Sequence, residues 1–447
     1  MRKKNGGKVI ASGGFGCVFR PALKCKGENI REKNKITKLM LKKYAIEEYE
    51  DVIKYEDIIK KIPDYQKYFL IDGFKICDPA SLNGADLMYF KEKCSALPKK
   101  DIDKSNINHS LDKLLALNMP DGGLALDDFI ENNSSYSIIV QLNNCLIDLL
   151  VNGILHMNKL HIYHCDIKDS NVLVDKNENQ IYLTRLIDWG LSTMYIPGNK
   201  DKIPKTWHNR PFQFNTPFSI VIFSDKFNEK YKEFLNLNPK EKINKKELKD
   251  FIVNFIYYWL RERGHGHFKF INSIMYKLFF QEIPKDINNT DDNKVKNKFI
   301  EENYTIPYIT NYIFTVLVYF TDVNNEGTVS FDRYLNELFI KIVDIYGFII
   351  CYYPILEIYY QNFDYLNENE IKIFNIVKKI FIHYLYAPRI ETIDIYELKN
   401  TLQNLNPLFD IEKKIHSKSF KTLSKSFSKT KKKKSSSFKT RKNRIVI

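Results

Sequence analysis

The spacing of apolar positions changes along this chain, and each change predicts a different kind of element. Between residues 7 and 40, short apolar runs alternate with glycines and polar turns: Lys8-Val9-Ile10, then Ser12-Gly13-Gly14-Phe15-Gly16, then Cys17-Val18-Phe19, and later Lys35-Ile36-Thr37-Lys38-Leu39-Met40. This predicts short strands joined by a glycine turn and a loop. From 44 to 62 the apolar residues Ile46, Val52, Ile53, Ile58, Ile59 and Ile62 take helical spacing, and Pro63 stands where a helix would stop. Residues 66–120 are mixed and read as completing a small sheet, closed by the turn Pro120-Asp121-Gly122-Gly123. A strongly amphipathic helix is expected over 136–158. Two short strands, Asn171 to Val174 and Ile181 to Ile187, flank the turn at 175–179, and helical spacing then dominates to about 405. A small β-rich part followed by a larger helical part predicts an α+β chain with two unequal lobes. The longest apolar stretch, Leu338 to Tyr360, is broken by Lys341, Asp344 and Glu357, so it predicts a buried helix and no membrane span.

Charge changes this picture at one place only. The net charge is +15, but fourteen of the 69 Lys and Arg residues, and no acid, fall between Lys413 and Arg444. The remainder, 55 basic against 54 acidic, is close to neutral. Residues 413–447 are mostly Lys, Ser and Thr with a few Phe; they bury too little to offset ordering entropy and read as a disordered basic tail. Nucleic acid or another polyanion is the partner such a tail implies. The seven cysteines are odd in number and scattered, without a C-x-x-C pair. That predicts a reducing compartment, no disulfide framework and no zinc site. No apolar run follows the first residues, so no signal peptide is expected.

Candidate chemistry sits in three places. Glycines between two strands, Ser12 to Gly16, let backbone N–H groups approach phosphate oxygens. Lys38, on the strand after next, can reach under such a loop. The third place is decisive: His164-Cys165-Asp166-Ile167-Lys168-Asp169-Ser170-Asn171, followed after a hairpin by Leu186-Ile187-Asp188-Trp189-Gly190. Phosphoryl transfer requires positioning and neutralisation of charge on the γ-phosphate. Asp166 suits a hydroxyl acceptor, Lys168 suits the transferring phosphoryl group, and Asn171 and Asp188 are hard oxygen ligands fit for Mg²⁺.

In this order and spacing, the motifs resemble the eukaryotic protein kinase superfamily, closely over residues 7 to about 195 and loosely over about 340 to 405. Gly14-Phe15-Gly16-Cys17-Val18-Phe19-Arg20-Pro21, Asp166-Ile167-Lys168-x-x-Asn171-Val172-Leu173 and Leu186-Ile187-Asp188-Trp189-Gly190-Leu191-Ser192 look most like the serine/threonine kinases of large cytoplasmic DNA viruses. The resemblance implies a bilobal protein-kinase fold: lobe and hinge over 1–120, and a helical lobe over 121–412 with an inserted helical region at about 218–338. It implies a serine/threonine protein kinase using ATP and Mg²⁺. Ile10, Gly13, Gly14, Gly16 and Val18 would then line the nucleotide site, with Ala11 standing where the first glycine of the loop usually is. Lys38 matches the strand lysine, and Glu48 is the chosen partner, with Glu47, Glu50 and Glu56 as rivals that spacing does not separate. The hinge would run through Leu117-Asn118-Met119-Pro120, making Met119 an adenine contact. Cys165 replaces the usual Arg, which puts control by activation-loop phosphorylation in doubt. Arg210 to Pro217 would close the activation segment, and Asp344, in Val343-Asp344-Ile345-Tyr346-Gly347, would brace the catalytic loop. An intracellular setting follows from the resemblance: host cytoplasm or viral factory, with nucleus or virion as further destinations.

Two other motifs carry less. Asp322 to Arg333 starts like an EF-hand loop, but Arg333 occupies the position of the bidentate Glu. His265 and His267 flank Gly266 without a third ligand, and read as a surface turn. The competing function is a catalytically weak scaffold tethered to polyanions by the tail.

Overall fold

The computed structural model describes residues 7–412, apart from 33, 134, 199–202, 239–243 and 324–328. The basic tail and the middle of the EF-hand-like loop therefore lie outside the described residues.

The N-terminal part is an antiparallel five-stranded sheet in the order β1-β2-β3-β5-β4. β1 (Lys8–Ser12) and β2 (Gly16–Arg20) form a hairpin around the glycine turn, with a slip in register between Val9 and Ala11. β3 (Lys35–Leu41) pairs with both β2 and β5 (Leu114–Pro120), and β4 (Lys75–Cys77) pairs with β5. Alternation along β3 and β5 divides their side chains between two faces. Met40 and Leu117 meet Ala45 of helix α1 (Lys42–Ile59). Leu39 and Ala116 face the other way, onto Leu82, Phe90, Leu97, Ile102 and Ile107 from the segment between β4 and β5. The mixed stretch of sequence thus does more than complete the sheet: it folds over one face of it.

This covering segment overturns the cysteine expectation. Cys17 of β2 is disulfide-bonded to Cys94, and Cys25 to Cys77. The bonded residues are 77 and 52 positions apart, so local spacing carried no trace of them. They meet because the segment packs on β1 and β2 and because Cys25 bridges to Pro79 beside β4. The inference to a reducing compartment loses its basis with this pairing. Cys145, Cys165 and Cys351 are free.

The hinge expectation also shifts. Leu117 to Pro120 lie inside β5, with Met119 opposite Ile36 and Pro120 opposite Lys35. The crossing to the helical part is Asp121 to Gly123. It is held by Arg20, whose Nη2 donates to Asp121 Oδ1 at 2.6 Å and to the Gly123 carbonyl at 2.9 Å. Gly123 has φ +92°, and a Cβ there would lie 2.1 Å from the Val174 carbonyl oxygen, so only glycine fits this approach.

The larger part is mainly helical. α2 (Tyr136–Asp148) runs through a wider turn at Leu149–Ile154 and on to Lys159. Short strands β6 (Leu124–Ala125), β8 (Val172–Lys176) and β9 (Tyr182–Leu186) form one small sheet, and β7 (Ile162–Tyr163) pairs with β10 (Thr193–Met194). Further along come α3 (Asp225–Leu237), α4 (Lys245–Arg263), α5 (Gly266–Phe279), α6 (Ile306–Phe320) and α7 (Ile340–Ile350). α4 opens with a capping box of Asn244 and Glu247. In α7 every residue but Lys341 is buried, which accounts for the apolar stretch as a core helix. α3 to α6 share one apolar core with the rest of the helical part.

Candidate functional site

The small sheet presents Lys38 under the glycine turn. Val18 and Lys38 are register partners on β2 and β3, and a Cβ placed on Gly13 would sit 3.6 Å from Lys38 Cε. A Cβ on Gly14 would meet nothing within 4 Å. Gly16 is required for another reason: a Cβ there would be 2.2 Å from Met40 Cγ on the neighbouring strand. Ile10 lies at the register slip of β1, half-buried. The base of the turn is fixed by Ser12 Oγ, which accepts from the Ser95 and Ala96 amides at 3.1 and 3.0 Å, beside the Cys17–Cys94 bond.

Among the four glutamates left open by spacing, Glu48 meets Lys38, with Nζ 2.5 Å from Oε2. Glu47 lies 3.9 Å from Lys43 and Glu56 pairs with Lys60, while Glu50 is exposed. Burial raises the Glu48 carboxyl above its usual range against the opposing pull of Lys38. Asp51, one turn further along α1, is pushed up to about 6 by burial, with the negative charges of Glu48, Asp188 and Glu47 adding to the shift and Lys54 opposing it. The two α1 carboxylates thus face Asp188 across the gap between the sheet and the helical part.

The catalytic-type loop is braced from below. Asp344 of α7 accepts from the Cys165 amide at 2.8 Å through Oδ1, and from the His164 amide at 2.9 Å and Asn158 Nδ2 at 2.7 Å through Oδ2. Gly347, one turn on, lets the helix touch the loop: a Cβ there would be 2.6 Å from the Ile167 carbonyl oxygen. Cys165 adopts φ 58°. Its buried sulfur accepts a hydrogen bond from Trp207 Nε1 at 2.9 Å, and burial raises the thiol pKa strongly.

Held this way, Asp166 is ringed by donors. Lys168 Nζ lies 2.7 Å and Asn171 Nδ2 3.0 Å from Oδ2, and Asn215 Nδ2 lies 2.8 Å from Oδ1. Burial pushes the carboxyl up, but the Lys168 ammonium and the side-chain hydrogen bonds outweigh it and leave the pKa below the usual range. Asn171 also donates to the Asp166 carbonyl at 2.8 Å, so its amide nitrogen is committed to the loop and its oxygen is not. The Ile187 amide donates to the Asn171 carbonyl at 3.0 Å, which ties Asp188, at φ 70°, to the same loop. Trp189 beside it packs among Tyr55 of α1, Phe69 and His164, at centroid distances of 5.8, 5.9 and 5.2 Å. Tyr55 Oη also donates to the Ser192 carbonyl at 2.8 Å, joining α1 to the segment after Asp188.

The structure thus brings Asp166, Lys168 and Asn171 into hydrogen-bond contact, and separately joins Lys38 to Glu48. Met119 lies on β5 with no side-chain link to either group among the described residues. Sequence reasoning missed Asn215, Trp207, Asp51 and His267 as members of the site. The only signal for Asn215 was its place in the segment expected to close the activation loop.

A family model described as the protein kinase domain matches residues 105–211, which contain the catalytic-type loop, Asp188 and Trp207. The chain is similar to calcium-dependent protein kinase 4 of Plasmodium falciparum, with 30% identity over 92 residues, covering 20% of this chain and 17% of that protein. It is also similar to myosin light chain kinase family member 4 of Homo sapiens, with 32% identity over 93 residues, covering 21% of this chain and 23% of that one. The matched stretch therefore spans about a fifth of the relatives' lengths. A solved crystal structure of a kinase domain matches with 18% identity and a TM-score of 0.27, covering 49% of this chain and 59% of the other. The chain carries a protein kinase domain match over residues 105–211, within an α+β fold whose N-terminal part is β-rich and whose larger remainder is mostly helical.

Proposed function

We propose that this chain is an ATP- and Mg²⁺-dependent protein kinase that phosphorylates serine or threonine. The observation that carries the reading is the carboxylate of Asp166, presented by a braced loop and pinned on both oxygens by Lys168, Asn171 and Asn215. A carboxylate held in one orientation and kept ionised is a positioning group for an acceptor hydroxyl. Its lowered pKa makes it a weak base, so its contribution is to align the hydroxyl and accept its hydrogen bond as charge develops, with little proton transfer before the transition state.

The residues present fit Mg·ATP by their chemistry. Asn171 has spent its amide nitrogen and retains a hard oxygen, and Asp188 offers a carboxylate; both suit Mg²⁺. The glycine turn carries no Cβ over Lys38, which leaves backbone N–H groups and the ammonium to meet phosphate oxygens. Bound Mg·ATP supplies the phosphoryl group and a cation that offsets its charge. Glu48 orients Lys38, and the Lys168 ammonium, held at Asp166, would offset charge on the transferring group. The serine/threonine assignment rests on Lys168 two residues after Asp166, and the kinship with kinases of large DNA viruses on the motif wording.

The test is incubation with γ-labelled ATP, Mg²⁺ and a mixed peptide library. Label should enter serine and threonine peptides and be lost when Mg²⁺ is chelated. No transfer at all would favour the scaffold reading, and label confined to tyrosine would sink the residue assignment.

A further inference from the structure

The segment from Arg210 to Thr216 contains a concentration of buried polar atoms without hydrogen-bond partners. They are both Nη atoms of Arg210, Gln213 Oε1, Asn215 Oδ1 and Thr216 Oγ1. His267 Nδ1, in the first turn of α5, is a further one. Natural folds leave few buried polar groups unpaired, and an arginine keeps its charge wherever it is placed. Arg210 is only 5% exposed, yet neither Nη is paired. The carboxylates whose fields it feels, Asp166 and Asp344, are each already occupied by three donors.

Asn215 donates to Asp166 Oδ1, so the segment lies directly against the acceptor-positioning carboxylate. α5 is laid on the same segment: Phe214 stacks on His267 at 5.8 Å and meets Phe270 edge-on at 4.5 Å, and Phe212 lies 6.4 Å from Phe268. Burial lowers the His267 pKa, and the neighbouring charges of Lys168 and Arg210 lower it further against the pull of Asp166. Arg210 is thus buried within the field of Asp166, while Lys168 and His267 are partly exposed.

We infer that Arg210 and His267, together with Lys168, form a specificity subsite that takes an anionic side chain of the protein substrate, a carboxylate or a phosphate, next to the acceptor hydroxyl. The inference rests on the kinase reading above and names its substrate class. A guanidinium with two unpaired Nη donors is matched in geometry by a two-oxygen anion. Tighter substrate binding at such a subsite lowers KM and leaves the chemical step to Asp166.

Three otherwise identical peptides test this on the full chain, with alanine, aspartate or phosphoserine flanking one acceptor serine. Binding is followed by fluorescence polarisation and turnover by initial rates. The two anionic peptides should bind about 10-fold tighter than the alanine peptide, on the order expected for charge-assisted pairing. That ratio should shrink several-fold in Arg210→Met and in His267→Gln; the second variant spares the buried cation should the first fail to fold. A preference for phosphoserine alone would assign the subsite to phosphate, and an equal preference for aspartate would assign it to carboxylates generally. Equal affinity of the wild type for all three peptides would overturn the inference, as would a preference that both variants retain. Because binding is read without turnover, an anionic preference without phosphate transfer would leave the subsite standing and refute the kinase reading instead.

Discussion

At the scale of single residues, two carboxylates stand in different settings. Asp166 is pinned by three donors on the braced loop, whereas Asp188 faces Glu48 and Asp51 across the gap. On the proposed reading Asp166 meets the hydroxyl and not the nucleotide, so Asp166→Ala should lower kcat by roughly 100-fold or more and leave ATP affinity nearly intact. Asp188→Ala should abolish turnover and also weaken Mg·ATP binding, because on the same reading it removes a carboxylate that would hold Mg²⁺. Isothermal titration with Mg·ATP separates the two, and equal loss of affinity in both variants would show the roles misassigned. Asn215 supplies a second test. It stabilises the charged form of Asp166, so Asn215→Ala should raise that pKa. The acid limb of the kcat/KM profile should then move to higher pH, and an unmoved limb would mean that Asp166 does not titrate in the rate. Lys38, Asp166, Lys168, Asn171 and Asp188 could be read from the sequence because their motifs are local. Asn215 and the Cys17–Cys94 and Cys25–Cys77 bonds could not, because each joins segments that only the folded chain brings together.

At the scale of elements, the catalytic loop is fixed by what lies beneath and beside it. α7 touches it through Asp344 and Gly347, a contact that the weak motif Val343 to Gly347 made legible. A methyl group at Gly347 would meet the Ile167 backbone, which cannot yield as a flexible side chain would. Gly347→Ala should therefore destabilise the protein by about 1–3 kcal/mol and lower activity, as overpacking does. Thermal melting followed by circular dichroism measures it, and an unchanged melting temperature would contradict the close approach. The segment around Trp207 is fastened differently: Trp207 donates to the Cys165 sulfur, a position that on the proposed reading offers no guanidinium to grip a phosphate. Phosphatase treatment of the purified protein should accordingly leave its rate unchanged. A large fall that preincubation with ATP restores would show that a phosphate orders the segment after all. The strands and α1 were legible because their periodicities differ; the displaced hinge was not, because Leu117 to Pro120 have the same apolar character in a strand as in a crossing.

At the scale of the whole molecule, the division into a β-rich part and a larger helical part followed from the switch in apolar spacing. The region 218–338 was unreadable because its spacing shows helices but not what they pack against. Its aromatic side chains, Phe227, Tyr231, Phe251 and Phe255 among them, pack into the same core as the catalytic-type loop. Charge is divided just as unevenly, and it supports a prediction independent of the fold. Residues 1–412 are close to neutral, and fourteen cations without an acid lie beyond them. Such a run neutralises several phosphates regardless of sequence, so its binding to a polyanion should fall steeply with salt. Ser424, Ser426, Ser428, Ser435, Ser436 and Ser437 stand within it, and each phosphate placed there adds roughly −1.5 to −2 charge, so phosphorylation of all six would offset most of the fourteen cations and weaken the attraction. The chain ended after residue 412 should keep full turnover on a short neutral peptide and lose its retention on a heparin or DNA column. If the shortened chain loses turnover on that peptide, the tail takes part in catalysis; if it stays on the column, the binding surface belongs to the folded part, whose near-neutral charge gives no reason to expect one.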